Sequence, residues 1–256
     1  MKAAVQLKGI TKHYGKKIAV AGLDLEIGEG ELFALVGPNG AGKTSTLKML
    51  VGLLKPTSGS IVIAGYDLLK ERSKAKNALS FVPDTPYVYE KLSPWELLRF
   101  VGKLYSLDPK TIEERGSELL KFFSLWDVRD VLIEEFSHGM RQKVTLSTAL
   151  LHQLKVFILD EPMVGLDPMT IKSFKDFLRQ KSREGMTILL STHTLSTAEE
   201  LADRVGILDH GRLIALGSME DLRQKYQSRE NLEDMFMKLI ENEELRGGKK
   251  GGDGTP

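Results

Sequence analysis

The residues with the clearest chemistry are Gly37-Pro38-Asn39-Gly40-Ala41-Gly42-Lys43-Thr44, in the order G-x-x-x-x-G-K-T. Glycines at 37, 40 and 42 let the backbone curl so that successive N–H groups point inward, a ring of donors suited to phosphate oxygens. The positive end of a following helix adds to that attraction. Lys43 would reach the β- and γ-phosphates of a nucleotide, and the Thr44 hydroxyl would ligate Mg²⁺. An acidic pair, Asp160 and Glu161, directly follows the apolar run Val156-Phe157-Ile158-Leu159. A buried parallel strand would deliver both acids at its C-terminal end, where open α/β sheets bind ligands. Asp160 would there hold Mg²⁺ through water. Glu161 would polarise an attacking water, a general-base role typically worth about 10²–10⁴ in rate. Alone, such a pair reads as a strand ending in solvated acids; with the glycine loop it reads as part of one site.

These groups need elements to hold them. The apolar run Leu32–Val36 reads as a buried strand before the loop, and residues 45–51, starting at Ser45, read as a helix after it. Upstream, residues 4–36 look like strands, with Val5, Leu7 and Gly9, then Leu23, Leu25 and Ile27, alternating with their neighbours. Lys55-Pro-Thr-Ser-Gly59 is expected to close the first helix, and Ile61-Val-Ile63 to form a strand before a turn and a charged segment. Leu79–Val82 reads as another short strand. From residue 93 to about 152 the pattern is helical. Ser93-Pro94-Trp95-Glu96 combines an N-cap, a first-turn proline and a capping-box glutamate; Asp108-Pro109 and Ser137 open two more helices.

The α/β pattern then resumes. Asp167-Pro168 caps a helix ending near Gly185, residues 187–191 form a strand, and Ser196-x-x-Glu199 reads as a capping box. Residues 205–208 and 212–215 look like paired strands around His210-Gly211. Leu232, Met235, Phe236 and Leu239 make a helical apolar stripe. The expected division is one domain over 1–246. Its α/β core and β subdomain take 1–84 and 153–226, a helical subdomain 85–152, a C-terminal helix 227–246, with a disordered tail at 247–256.

Composition is that of a soluble globular protein. Charged residues are 28% and apolar ones 41% of 256, and the formal net charge of +1 gives no overall field favouring nucleic acid. There is no cysteine, so disulfides and thiolate metal sites are excluded. No stretch approaches the ~20 apolar residues that span a bilayer, so the expected location is cytoplasmic.

Phe136-Ser137-His138-Gly139-Met140-Arg141-Gln142 precedes the acidic strand at a helix start. Here the chain resembles the ATP-binding-cassette family, the ATPase subunits of ABC transporters, whose signature at this point is Leu-Ser-Gly-Gly-Gln. Ser137 and Gly139 match it; Phe136, His138 and Met140 depart from it. The resemblance implies that Ser137 and Gly139 contact the γ-phosphate of ATP held by a second subunit; alone, Ser137 is a helix cap. Gly165-Leu166-Asp167 resembles the loop that crosses between subunits, although Asp167 also suits a helix cap. His193 matches the switch histidine, which contacts the γ-phosphate and positions Glu161 and the water. Tyr14 matches the aromatic residue that stacks on adenine, worth about 1–3 kcal/mol by analogy with base stacking. Where the family usually has a Mg²⁺-ligating glutamine, this chain has Asp84, which could ligate the metal or sit as a turn residue facing solvent.

The resemblance spans about residues 3–225 and is most like the cassettes of ABC-2-type and related bacterial exporters. It implies an α/β, P-loop NTPase (RecA-like) fold with an N-terminal antiparallel β subdomain and an inserted α-helical subdomain. The cofactors implied are ATP and Mg²⁺, with the nucleotide contacts running from Gly37 to Ser45. The implied partners are an integral-membrane permease and a second cassette, head-to-tail, with the protein peripheral on the inner membrane face. Tyr87, Tyr89 and Trp95 suit a permease contact or local packing equally. The alternatives are a soluble cassette ATPase without transport, which usually carries linked cassettes or coiled coils, and a regulatory cassette with little turnover. A P-loop kinase would leave the signature and His193 unexplained.

Overall fold

The structure is a computed structural model and describes residues 2–226 and 232–248. The two hydrophobic patterns in the sequence become two different sheets. Alternating residues build an antiparallel sheet from β1 (Ala3–Tyr14), β2 (Lys17–Gly28), β4 (Ser58–Ile63) and β5 (Tyr66–Asp67), in the order β2-β1-β4-β5. Val5, Leu7, Leu25 and Ile27 all point into its buried face. The alternation expected through Gly9 breaks there: Gly9 has φ 58°, and the register with β2 shifts between Leu7 and Ile10.

The continuous apolar runs build the second sheet. It contains β3 (Leu32–Val36), β6 (Leu79–Val82), β7 (Val156–Asp160), β8 (Thr187–Thr192), β9 (Arg204–Asp209) and β10 (Arg212–Gly217), in the order β10-β9-β3-β8-β7-β6. All pairings are parallel except that of the edge strand β10. Every residue of β3, β7 and β8 is buried, as expected for strands covered on both faces.

The helices are α1 (Lys43–Leu50), α2 (Arg72–Asn77), α3 (Pro94–Leu104), α4 (Pro109–Phe122), α5 (His138–Ala149), α6 (Pro168–Arg183), α7 (Leu195–Leu201), α8 (Met219–Lys225) and α9 (Leu232–Gly248). One sheet face shares a core with the antiparallel sheet, where Leu7 and Ile27 meet Leu35 and Ile158. On the other face Leu98, Leu120 and Phe123 of the helical segment pack with Phe157, Leu159 and Ile188. Leu232 and Met235 of α9 pack with Val36 and Ile207, as their helical stripe requires. Among the described residues no helix is long and apolar enough to cross a membrane.

The predicted starts of α3, α4 and α5 form as written. Ser93 Oγ accepts the Glu96 N–H at 3.3 Å, and Glu96 Oε2 accepts the Ser93 N–H at 2.9 Å. Asp108 and Ser137 cap the next two helices through Thr111 and Met140. Other expectations are corrected. The first helix stops at Leu50, not at 55–59, because Gly52 turns left-handed (φ 68°) and the chain is already in β4 at Ser58. The charged segment before β6 holds α2, whose six residues are too few to show a helical period. The Ser196–Glu199 capping box does not form. Thr194 is the N-cap, and Glu199 instead accepts from Arg223 at 2.8 Å and from the Leu232 N–H at 3.2 Å. Of the expected tail, Gly247 and Gly248 belong to α9, and residues 249–256 lie outside the described residues.

Candidate active site

Strand order assembles the site. β3, β8, β7 and β6 are neighbours in that sequence, and all four are parallel. Their C-terminal ends therefore lie along one edge, where open α/β sheets bind ligands. The glycine loop leaves β3, His193 follows β8, Asp160 ends β7 with Glu161 directly after it, and Asp84 stands two residues past β6. Register sets the spacing: Asp160 pairs with Ser191, and Val36 with Thr192. Together these residues line a cleft of about 610 Å³ with Tyr14, Lys17, Asn39, Gly40, Gly42, Thr44 and Ser45. A larger groove of about 750 Å³, lined by Arg115, Phe122, His152 and Phe177, contains none of the predicted site residues. Chemistry, not size, therefore picks out the site.

The loop fits too closely for side chains at two glycines. A Cβ on Gly37 would lie 2.1 Å from the Leu208 carbonyl oxygen, and one on Gly42, at φ 108°, 2.4 Å from the Ala19 carbonyl oxygen. Lys43 Nζ donates to the carbonyls of Gly37 at 2.6 Å and Pro38 at 3.1 Å. Burial lowers its pKa, opposed by the nearby charges of Glu161 and Asp160. Pro38 enters through its carbonyl, and Ala41 is buried beneath the loop.

Glu161 is the most constrained residue of the cleft. Its backbone is left-handed at φ 47°, a conformation that surrounding contacts must hold. Its N–H donates to the Ser191 carbonyl at 3.0 Å. Its Oε1 accepts the His193 N–H at 2.8 Å and meets His193 Nδ1 at 2.7 Å, while Oε2 accepts from the Thr192 hydroxyl at 3.2 Å. The carboxylate is thus aimed by the residues that end β8. Thr192 was not singled out by sequence reasoning, because it sits in an unbroken buried run with no alternation to say which way it faces.

Asp160 is 1% exposed, and its Oδ2 is buried with no hydrogen-bond partner. Burial raises its pKa most and the charges of Asp84 and Glu161 raise it further, while the facing hydroxyls of Ser191 and Thr44 pull it down. A buried, unpaired carboxylate oxygen beside a second carboxylate and a hydroxyl is a hard-oxygen donor set that fits Mg²⁺. Among the described residues no three His, Cys, Asp or Glu side chains could hold a metal alone, so phosphate oxygens would complete such a site. Asp84 lines the cleft and also takes the Thr85 N–H on Oδ1 at 2.9 Å, which combines the two expected placements.

Three predicted residues lie elsewhere. Ser137 and Gly139, at the start of α5, do not line this cleft. Ser137 Oγ accepts the Met140 N–H at 3.3 Å. Asp167 caps α6 through the Thr170 N–H at 2.9 Å and accepts from Lys143 Nζ at 2.8 Å. The Lys143 ammonium, then Thr170, holds the Asp167 carboxyl well below the usual carboxylate range. Tyr14 is half exposed at the cleft mouth, with Lys12 Nζ 5.3 Å from its ring centroid. Tyr87 and Tyr89 are exposed, Tyr89 with its ring edge-to-face on Phe100 at 5.6 Å, and Trp95 packs edge-to-face on Trp126 at 6.0 Å.

This edge is a candidate nucleotide site on a parallel sheet, and comparison with known proteins gives the chain its family. The ABC transporter family model matches residues 20–164. The chain is 38% identical over 218 residues to the linearmycin resistance ATP-binding protein LnrL of Bacillus subtilis, covering 85% of this chain and 70% of that one. It is 36% identical over 225 residues to the daunorubicin/doxorubicin resistance ATP-binding protein DrrA of Streptomyces peucetius, covering 88% and 68%. A solved ATP-binding subunit of an ABC transporter superposes with TM-score 0.88 at 34% identity, covering 93% of this chain and 99% of that one. A dimeric cassette bound to ADP and Pi, at TM-score 0.78 and 24% identity, covers 84% and 98% and shares the fold. The chain belongs to the ABC transporter family. Within it, this chain is an ATP-binding subunit that hydrolyses ATP.

Proposed function

We propose that this cassette hydrolyses ATP as half of a head-to-tail pair and so drives a separate membrane permease, to which it binds on the cytoplasmic face. The observation that carries the reading is the Glu161 carboxylate, held at 2.7 Å by His193 Nδ1 beside the Lys43 loop. Tyr14 stacks on adenine. Lys43 exchanges its two carbonyl contacts for β- and γ-phosphate oxygens, and the N–H groups from Asn39 to Ser45 hold the remaining phosphate charge. Asp160, Thr44 and Asp84 would hold Mg²⁺, which would supply charge neutralisation to the phosphates. Water attacks the γ-phosphorus as the bond to the β–γ bridging oxygen breaks, and Glu161 accepts the proton that water gives up. His193 keeps the carboxylate aimed at that water.

Ser137 and Gly139 lie outside their own cleft, which supports completion of each site by a second chain's signature. A two-fold pair then contains two such sites in one isologous interface. The exposed Tyr87 and Tyr89 belong to the permease-facing surface; Trp95 is committed to packing within the helical segment. The relatives' names in drug resistance support an exporter. The test is Glu161→Gln: ATP should double the particle mass of this variant while most phosphate release is lost. Undiminished turnover would remove Glu161 from its role.

A further inference from the structure

We propose that Gln142 is a positioning residue for Glu161, a role that rests on the reading of Glu161 as the base. Gln142 lies in the second turn of α5 and is 1% exposed. Its Nε2 donates to the carbonyl of Pro162, the residue after Glu161, at 3.2 Å. Its Oε1 is buried with no partner. A buried amide with an unpaired oxygen costs stability that an apolar side chain of the same size would not. Packing therefore does not account for this side chain, but the bond to Pro162 does. Proline has no N–H, so its carbonyl is the one backbone hydrogen-bonding group at 162 through which the chain after Glu161 can be held.

The need for such a hold is visible in the backbone. Glu161 is left-handed at φ 47°, and such residues persist only when their surroundings over-determine them. From the β8 side the residue is fixed by Ser191, Thr192 and His193. Gln142 fixes it from the α5 side. The far end of the same segment is fixed to α5 as well: Lys143 Nζ meets Asp167 Oδ2 at 2.8 Å, and Gly139 touches Gly165 so closely that a Cβ at 139 would stand 2.2 Å from the Gly165 carbonyl oxygen. The segment from the base to Asp167 therefore moves with the first two turns of α5, which begin at the signature. A shift of Ser137 and Gly139 toward a partner's phosphate moves Pro162, and with it Glu161 of the chain's own site.

Two variants test this. Gln142→Met keeps the size and removes both amide atoms. Gln142→Glu keeps the shape and removes the NH₂ donor. Steady-state ATP hydrolysis and thermal unfolding are measured on both full-length proteins. The expected result is a fall in kcat of about two- to tenfold, the range for one neutral hydrogen bond felt in the transition state. KM for ATP should stay within about twofold, and the Gln142→Met unfolding midpoint should not drop. A folded variant with wild-type kcat overturns the proposal. So does a loss of kcat that merely follows a lowered midpoint in both variants, because that marks a structural role. Glu161→Gln run alongside separates the two claims. Wild-type turnover there removes Glu161 as the base, whereas an inactive Glu161→Gln beside a fully active Gln142→Met removes Gln142 alone.

Discussion

Replacing His193 by alanine should expose how the base is aimed. Glu161 Oε1 receives the imidazole Nδ1 at 2.7 Å and the His193 N–H at 2.8 Å, and Oε2 receives the Thr192 hydroxyl at 3.2 Å. The substitution removes the first of these and leaves two. A hydrogen bond to a charged group contributes about 1.5–3 kcal/mol net. The His193 side chain is 60% exposed, so the low end applies, about 1.5 kcal/mol or roughly tenfold in rate. The assay is steady-state phosphate release from wild type, His193→Ala, Glu161→Gln and the double variant. His193→Ala should lose about tenfold or more in kcat with little change in KM. If the histidine acts through the carboxylate, the double variant should be no slower than Glu161→Gln alone. Additive losses, or a His193→Ala enzyme within twofold of wild type, would refute the reasoning.

Two further outcomes concern the acidic edge. Asp84→Asn should raise the half-saturating Mg²⁺ concentration by roughly threefold, the order of one partly exposed charge pair, and an identical metal titration would place Asp84 outside the metal site. The Asp160 carboxyl is pushed above its ordinary 3.8, first by burial, then by Asp84 and Glu161. The folded protein therefore binds that proton more readily than the unfolded chain. Stability from this group is full below the ordinary value and is lost as pH rises toward the raised one. In EDTA at neutral pH, Asp160→Asn should raise the unfolding midpoint by about 2–4 °C per kcal/mol relieved, each pKa unit being about 1.4 kcal/mol. At pH well below 4 the difference should vanish. A lower midpoint at neutral pH would contradict the sign.

Much of the candidate site was legible because its parts sit where short buried runs end. The runs before Gly37, after which the loop begins, and before Asp160 are apolar throughout, and that is how strands covered on both faces must read. The caps at Ser93, Asp108 and Asp167 were legible because capping is local chemistry. What the sequence hid is lateral. The Glu161–His193 distance follows from the β7–β8 register, and that pairing spans residues about thirty apart in the chain. The Gly139–Gly165 contact and the Gln142–Pro162 bond are likewise tertiary. Glu199 misled for the same reason: its capping spacing was local, but Arg223 and the start of α9 offered better partners.

The central claim, that each site is completed by a second chain, is tested most directly by wild-type turnover per chain measured across protein concentration at saturating Mg·ATP. The per-chain rate should climb with concentration and level off as the chains pair, in step with the dimer fraction read by mass. A per-chain rate that stays constant down to concentrations where every particle is a single chain would contradict the account.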